Sequence, residues 1–596
     1  MRRHPRTSAL CAYALLALLT VGWYPLSDPG AVCPCASNTD PSMSMWSLAW
    51  VPHALLHGLN PFYSHVVWAP VGSNLARSAA IPAAALAMSP VTELLGPVVS
   101  YNLLMVASPV LAAFTAYLLC RRIGGREAPA LAGGYLFGFG SYELAQLTVH
   151  ANLSLVFLIP AMVHLTVRRA AREISAASYV AALAASLVAQ MGLSTEVLVT
   201  ALAIGGLTLV CARIVAEPPY GERLDGIVGE IALAGACAAF VAAPFIYFAV
   251  IKGGTPHDWA FIEVDGMDLL NPLIPTRITW LGGQALESVG QRFIGGNLAE
   301  SGGYLSLPIV LAFLAWLATT RRRRLAGLLA VVAGSSLAVA LGGRLHVAGS
   351  ASVELPLNWL RNAPIVRLIT PSRIVVYASL AVAVGVAAWL AERPGWPRRP
   401  AARWAGFALG AAMIFPNVGS GLWSGSPPNP AFFRSGGYRR YLERGESVLA
   451  MPFGRNGYSM LWQAETGFYF RMPEGYLGHI PPEPFASEPI VGELYSGRAV
   501  DPGALAKFLL AGDVRAIVID RSAFAAQAGF AHELVLLGMR PVATEGVLLF
   551  ESAFFLPLIA ALVAGDIVAA EDGNGTLKTI LTRSVGRGQV FAAKVI

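Results

Sequence analysis

The chain has 596 residues, 55% of them apolar and 13% charged, with a formal net charge of +7. A soluble globular protein carries about 25% charged residues, so this composition excludes a soluble enzyme and places most of the chain in lipid. The arginines fall between apolar runs rather than along one basic face, which fits orientation in a membrane and argues against nucleic acid as a partner.

Arg2, Arg3 and Arg6 precede an apolar run over 9–24. No small-x-small cleavage site follows directly, so a retained first anchor is expected rather than a removed signal. A span needs about 20 apolar residues. Eleven spans are predicted, at 8–24, 99–120, 128–145, 151–168, 176–192, 195–213, 226–251, 303–319, 325–343, 371–391 and 402–421. A twelfth apolar run, 79–95, holds Pro82 and Pro90. Read as an interfacial helix, it leaves Arg121, Arg122 and Arg126, Arg168, Arg169 and Arg172, Arg213 and Arg223, Arg321 to Arg324, and Arg393, Arg398, Arg399 and Arg403 all on inside loops. Read as a span, it inverts every later loop and breaks the rule. The expected protein is therefore multi-pass in a bacterial inner membrane, with its N-terminus cytoplasmic and with 25–98, 253–302 and 425–551 facing out.

Within 1–424, the membrane domain, Cys11, Cys120, Cys211 and Cys237 sit in or at the ends of apolar runs as small core residues. Cys33 and Cys35 flank Pro34 without a second Cys/His pair for a metal, and an i, i+2 disulfide is strained. They read as a loop feature. The first outer loop also carries Asp40 and an amphipathic helix with Trp46 and Trp50, suited to the membrane surface.

In 425–551, strand patterns at 446–451, 514–520 and 546–550 alternate with helical ones at 504–510 and 530–537, which predicts a small α/β domain. It shows no Gly-rich phosphate loop and no nucleophile–base pair, so an inert cap is the favoured reading.

Several short motifs recur in a fixed order along this topology. They are Asp40, the helix from Trp46 to Gly58, Asn60-Pro61-Phe62, Pro70-x-Gly72-x-Asn74, Gly96-Pro97 with Tyr101-Asn102, His150-x-Asn152, Pro371-Ser372-Arg373, and the run from Asp513 to Ile519. Together they resemble the GT-C superfamily of integral-membrane glycosyltransferases, and within it the YfhO-like bacterial proteins, over about 1–551. The resemblance implies an α-helical polytopic membrane protein of 11–12 transmembrane helices with a small extracytoplasmic α/β domain. It also implies sugar transfer from a polyprenyl-phosphate donor to a glycan or lipid acceptor on the outer face. That chemistry needs a carboxylate at the acceptor hydroxyl and cations at the departing phosphate.

Asp40 is the candidate catalytic base; a helix-initiating Asp before Pro41 is the structural alternative. Arg367 and Arg373, at the outer end of a span, are candidates for the lipid phosphate, against simple snorkelling. Glu143 and His150 are candidate substrate-binding residues, because a carboxylate near the membrane is costly unless paired or functional. Many superfamily members carry two adjacent acids where Asp40 stands alone. His257, Asp258, Glu263, Asp265 and Asp268 offer oxygen ligands for a divalent cation, but a solvated acidic loop is favoured and no metal is assigned.

Residues 552–596 change character. An apolar run ending in Gly565-Asp566, then Glu571, Gly575-Thr576-Leu577-Lys578, Arg583-Ser584-Val585, Arg587 and Lys594 resemble a permease subunit of type-2 ABC transporters. The resemblance implies an ABC ATPase as partner, although a permease needs several spans and only this fragment matches. A fusion or a truncated assembly of two genes is the expected origin.

Overall fold

The computed structural model describes residues 5–36, 39–216, 220–252, 265–283, 286–293, 297–363, 366, 369–393, 396–478, 481–496 and 500–551. Arg367, His257, Asp258, Glu263 and the permease-like 552–596 therefore lie outside the described residues. The chain forms two compact units. The first gathers residues up to Pro52, Ala79–Lys252 and the described part of Pro256–Ser426; the second gathers His53–Ser78 and the described residues from Pro427.

The first unit is helical. Among the described residues, seven helices are long and apolar enough to cross a membrane: Pro97–Gly124, Ala151–Ala170, Ala176–Leu193, Thr195–Val215, Arg223–Val241, Arg323–Ala340 and Pro371–Ala391. The protein is a multi-pass membrane protein. The other four predicted spans are shorter or broken. Pro5–Thr20, Leu307–Thr319 and Pro400–Ile414 are helices of 16, 13 and 15 residues. The predicted span 128–145 breaks after Gly138 into Glu127–Gly138 and Ser141–Leu147. The apolar run at 79–95 forms the helix Pro82–Leu95, whose 14 residues are too few to span. It buries Ala84 and Ala85 and exposes Leu86, Leu94 and Leu95.

Gly134 and Gly138 bring the helix Glu127–Gly138 against Pro97–Gly124. A Cβ on Gly138 would lie 2.4 Å from both the Ala113 nitrogen and the Pro109 carbonyl, and one on Gly134 would lie 2.5 Å from the Ala113 carbonyl. Small residues four apart allow such backbone approach between membrane helices. Gly138→Val is therefore expected to destabilise the protein by about 1–3 kcal/mol through overpacking. A thermal melt of the detergent-solubilised variant matching the wild type would show that the helices do not approach this closely.

The helix Asp40–Leu56 differs from its predicted surface position. Its residues from Met43 to Trp50 are buried, and Trp46 stacks on Trp50 at 5.3 Å between ring centroids. Ser47 Oγ accepts the Ile81 N–H at 3.0 Å, which ties the helix to the start of Pro82–Leu95. Cys33 and Cys35, read from sequence as an unpaired loop feature, are disulfide-bonded with their Cα atoms 5.2 Å apart. The separation lies within ordinary disulfide reach. Asn102 donates to the carbonyls of Pro29 and Val32 and fastens this loop to Pro97–Gly124.

The second unit contains a four-stranded sheet. Ser447–Met451 pairs in parallel with Val514–Asp520, which pairs antiparallel with Val547–Glu551, and that strand pairs antiparallel with Pro541–Thr544. The parallel pair needs a long crossover, and the helices Pro489–Ser496 and Pro502–Ala511 lie within it. Asp501 caps the second by accepting the Ala504 N–H at 2.7 Å. Pro541–Thr544, missing from the sequence reading, is a short edge strand opening on a proline, so it carries no buried alternation.

The second unit also takes up part of the first outer loop. Tyr63–Ser64 and Ser73–Asn74 form a small antiparallel pair. Between them, Trp68 and Ala69 donate backbone N–H groups to the carbonyls of Glu474 and Met472, and Gln463 donates to the Val66 carbonyl. The Glu474 side chain is buried, and burial pushes its carboxyl up to about 8, opposed in part by the Gly454 N–H that it accepts.

Candidate functional site

Asp40 opens its helix after Thr39, with Pro41 in the first turn. Its carboxylate is 18% exposed, and Oδ2 lies 3.3 Å from Nε2 of His150. His150 precedes the short helix Ala151–Ser154 and caps nothing with its side chain. Its Nδ1 lies 2.8 Å from Gln146 Oε1 and 3.9 Å from Glu300 Oε1. Gln146 in turn donates through Nε2 to the Ala299 carbonyl at 2.9 Å.

Glu300 joins this group to Arg373. The guanidinium grips Glu300 through Nε and Nη2, with contacts of 3.0, 3.1 and 2.5 Å, and reaches Glu196 Oε2 through Nη1 at 2.6 Å. Ser372 donates to the other side of Glu300 at 3.0 Å. The Glu300 side chain is only 2% exposed. Burial pushes its carboxyl up, but the charge and hydrogen bonds of Arg373, with His150 and Ser372, more than reverse this and hold it below its usual value. Asp265 stands on the same edge, its carbonyl accepting the Ser372 N–H at 3.1 Å. Burial, with the Glu300 charge, pushes its carboxyl up to about 6 against the pull of Arg373.

Three of the residues singled out in the sequence therefore meet. Asp40, His150 and Arg373 are linked through Glu300, although 333 residues separate the first and last (373 minus 40). Glu143 turns elsewhere: it is fully buried and accepts the Ser108 hydroxyl at 2.7 Å. Arg373 is engaged by two carboxylates. Asp268 is taken up by structure, since its carboxylate accepts the N–H groups of Leu270 and Gly349 at 2.9 and 2.7 Å. Among the described residues no cluster of His, Cys, Asp and Glu has the arrangement of a metal site.

Sequence reading missed Glu196, Glu300 and Gln146. A cleft of about 290 Å³, lined by Arg277, Gly290, Gln291, Leu298 and Ser301, adjoins the segment that carries Glu300. Arg277 is exposed at its mouth.

Residues 11–415 match the family described as Domain of unknown function (DUF6311). The chain belongs to that family. The matched stretch of this DUF6311 member contains Asp40, His150, Glu196, Glu300 and Arg373. Its fold is that of GT-C glycosyltransferases. It is similar to the arabinofuranosyltransferase AftD from Mycobacteria, with a TM-score of 0.54 and 14% identity, over 92% of this chain and 42% of that one. The chain thus spans under half of that protein's length. It is similar also to an oligosaccharyltransferase from Archaeoglobus fulgidus, with a TM-score of 0.50 and 12% identity, over 88% of this chain and 71% of that one. A further match, to "Probable ABC transporter permease protein NosY" of Stutzerimonas stutzeri, is 44% identical over 45 residues, which is 8% of this chain and 16% of that protein. A match of that extent shows no family.

Proposed function

We propose that this DUF6311 protein is a glycosyltransferase that moves a sugar from a polyprenyl-phosphate donor to a glycan or lipid acceptor on the outer face of a bacterial inner membrane. The observation that carries the reading is the pairing of Asp40 with His150 in a chain with a GT-C fold. Arginine placement argues for that pair outside and the N-terminus inside. A YfhO-like subgroup rests on the short motifs alone. Both similar structures named above are sugar-transferring enzymes by title.

In this reading Asp40 is the general base. It takes the acceptor hydroxyl proton, the hydroxyl oxygen attacks the anomeric carbon, and the bond from that carbon to the phosphate oxygen breaks with its electron pair leaving on the phosphate. Membrane lipid supplies the donor's polyprenyl tail with its solvent. Arg373, bound to Glu300 and Glu196, fits a scaffold role better than a phosphate clamp. Arg277, at the cleft beside Glu300, has the exposure to meet the departing phosphate. A permease activity with an ATPase partner, which 552–596 suggest, lies outside the described residues and is not part of this proposal.

The direct test supplies proteoliposomes containing the full chain with a panel of radiolabelled polyprenyl-phosphate monosaccharides and an envelope-glycan extract. Label is expected to pass to glycan or lipid. No transfer from any donor would leave a non-catalytic GT-C-fold protein. Arg277→Ala is expected to lower kcat/KM for the donor about tenfold, the worth of one charge-assisted hydrogen bond, with part of the loss in kcat because the phosphate charge grows as the sugar departs. An unchanged kcat/KM would remove Arg277 from the donor site.

A further inference from the structure

The hydrogen bonds around His150 fix more than its position. Gln146 Nε2 faces the Ala299 carbonyl at 2.9 Å, and a carbonyl can only accept. The amide is therefore oriented, and it is its oxygen that meets Nδ1 of His150 at 2.8 Å. Nε2 meets the Asp40 carboxylate at 3.3 Å. Every charged or titratable group shown facing the ring is an acid: Asp40 from the helix Asp40–Leu56 and Glu300, 3.9 Å from Nδ1, from the loop before Leu307. Arg373 stands behind Glu300 and is bound to it. Both ring nitrogens therefore point at oxygen acceptors.

The geometry points to His150 as a positioning residue, held between Gln146 and Asp40, that fixes the rotation of the Asp40 carboxylate toward the acceptor hydroxyl. The proposal rests on the reading of Asp40 as base. His150 takes no proton from substrate in this role. Its Nε2 faces Oδ2 and sets the plane in which the carboxylate receives the hydroxyl proton. Gln146 sets the ring angle. The relay runs Ala299, Gln146, His150, Asp40, so the loop that carries Glu300 also sets the ring that holds the base.

The test reads kcat and KM for sugar transfer by the full chain in proteoliposomes. His150→Leu is expected to lose about 100-fold in kcat with KM unchanged, while His150→Gln, whose amide still donates to Asp40, stays within about tenfold. Recovery of kcat in His150→Gln relative to His150→Leu, with KM unchanged in both, is a rescue that restored packing alone would not produce. If Asp40→Asn is inactive and His150→Leu is fully active, the positioning role falls and the base reading stands. If Asp40→Asn is fully active, both fall.

Discussion

Asp40→Asn is expected to reduce sugar transfer by about 10²- to 10⁴-fold, the range over which a positioned general base contributes. The substitution is nearly isosteric. Asn can still open the helix and still accept a hydrogen bond from His150, so the alternative role of Asp40, a helix-initiating residue ahead of Pro41, is preserved. What Asn cannot do is hold the proton of the acceptor hydroxyl. The fall is expected in kcat, with the melting temperature close to that of the wild type. The measurement is transfer of label from polyprenyl-phosphate sugar in proteoliposomes, beside a thermal melt of the same preparation. Transfer within about threefold of wild type would end the base assignment. A large drop in melting temperature would instead mark the Asp40 charge as a fold-holding partner of His150. Many members of the resembled superfamily carry a second acid beside this one. Here a polar neighbour of Asp40 is His150, reached through space across 110 residues (150 minus 40), so a single carboxylate need not be isolated.

The residues that sequence reading singled out share one property: each interrupts an apolar stretch or opens one. Asp40, His150 and Arg373 were visible for that reason, and Arg373 also because a cation at a span end demands an explanation. Their partners were not visible, for reasons that differ by residue. Glu196 follows Ser194, which caps the helix Thr195–Val215 by accepting the Val197 N–H, so an acid in that first turn is already explained by the helix dipole. Its pairing with Arg373, 177 residues away, leaves no local trace. Glu300 sits in a glycine-rich loop that carries no periodicity. A usable signal was nonetheless present. Arginine placement puts 193–195, 253–302 and the start of the span 371–391 on one face, and a guanidinium there needs a carboxylate from that face. Glu143 drew attention by the same rule of costly burial, yet its observed contact is the hydroxyl of Ser108.

Hydropathy has a parallel blind spot. It counts apolar residues and not helix continuity, so it joined two helices across the break after Gly138. It could not show that the residues after Pro52 fold with a distant domain, because that choice is made by backbone groups of Trp68 and Ala69 pairing with carbonyls some 400 residues on.

Arg373→Met is expected to destabilise the protein by about 3–5 kcal/mol, the cost of stripping one partner from a buried ion pair. Glu300 would keep its burial and Ser372 but lose the charge that overrides burial, leaving a nearly inaccessible carboxylate without its main counter-charge. The pH dependence separates this loss from ordinary packing damage. In the wild type the Glu300 carboxyl is held below its unfolded value, so its contribution is fully present above that value and is lost as pH falls through the lower, folded one. Without Arg373, burial dominates and the folded value rises above the unfolded one. The sign then reverses: stability falls as pH rises through that interval, because the folded state now binds the proton more tightly. Chemical denaturation of wild type and variant across about pH 2–8 reads both effects. Parallel curves would remove the pair as a buried electrostatic element. The double variant Glu300→Leu with Arg373→Met is expected to recover much of the stability, since a packed apolar pair avoids the desolvation of both charges. It is not expected to recover sugar transfer. Glu300 also faces Nδ1 of His150, and leucine there leaves the ring, and through it Asp40, without the opposing charge. Stability regained without activity would mark Glu300 and Arg373 as a pair retained for the carboxylate they orient. Activity returning with stability would reduce them to a fold-holding bridge.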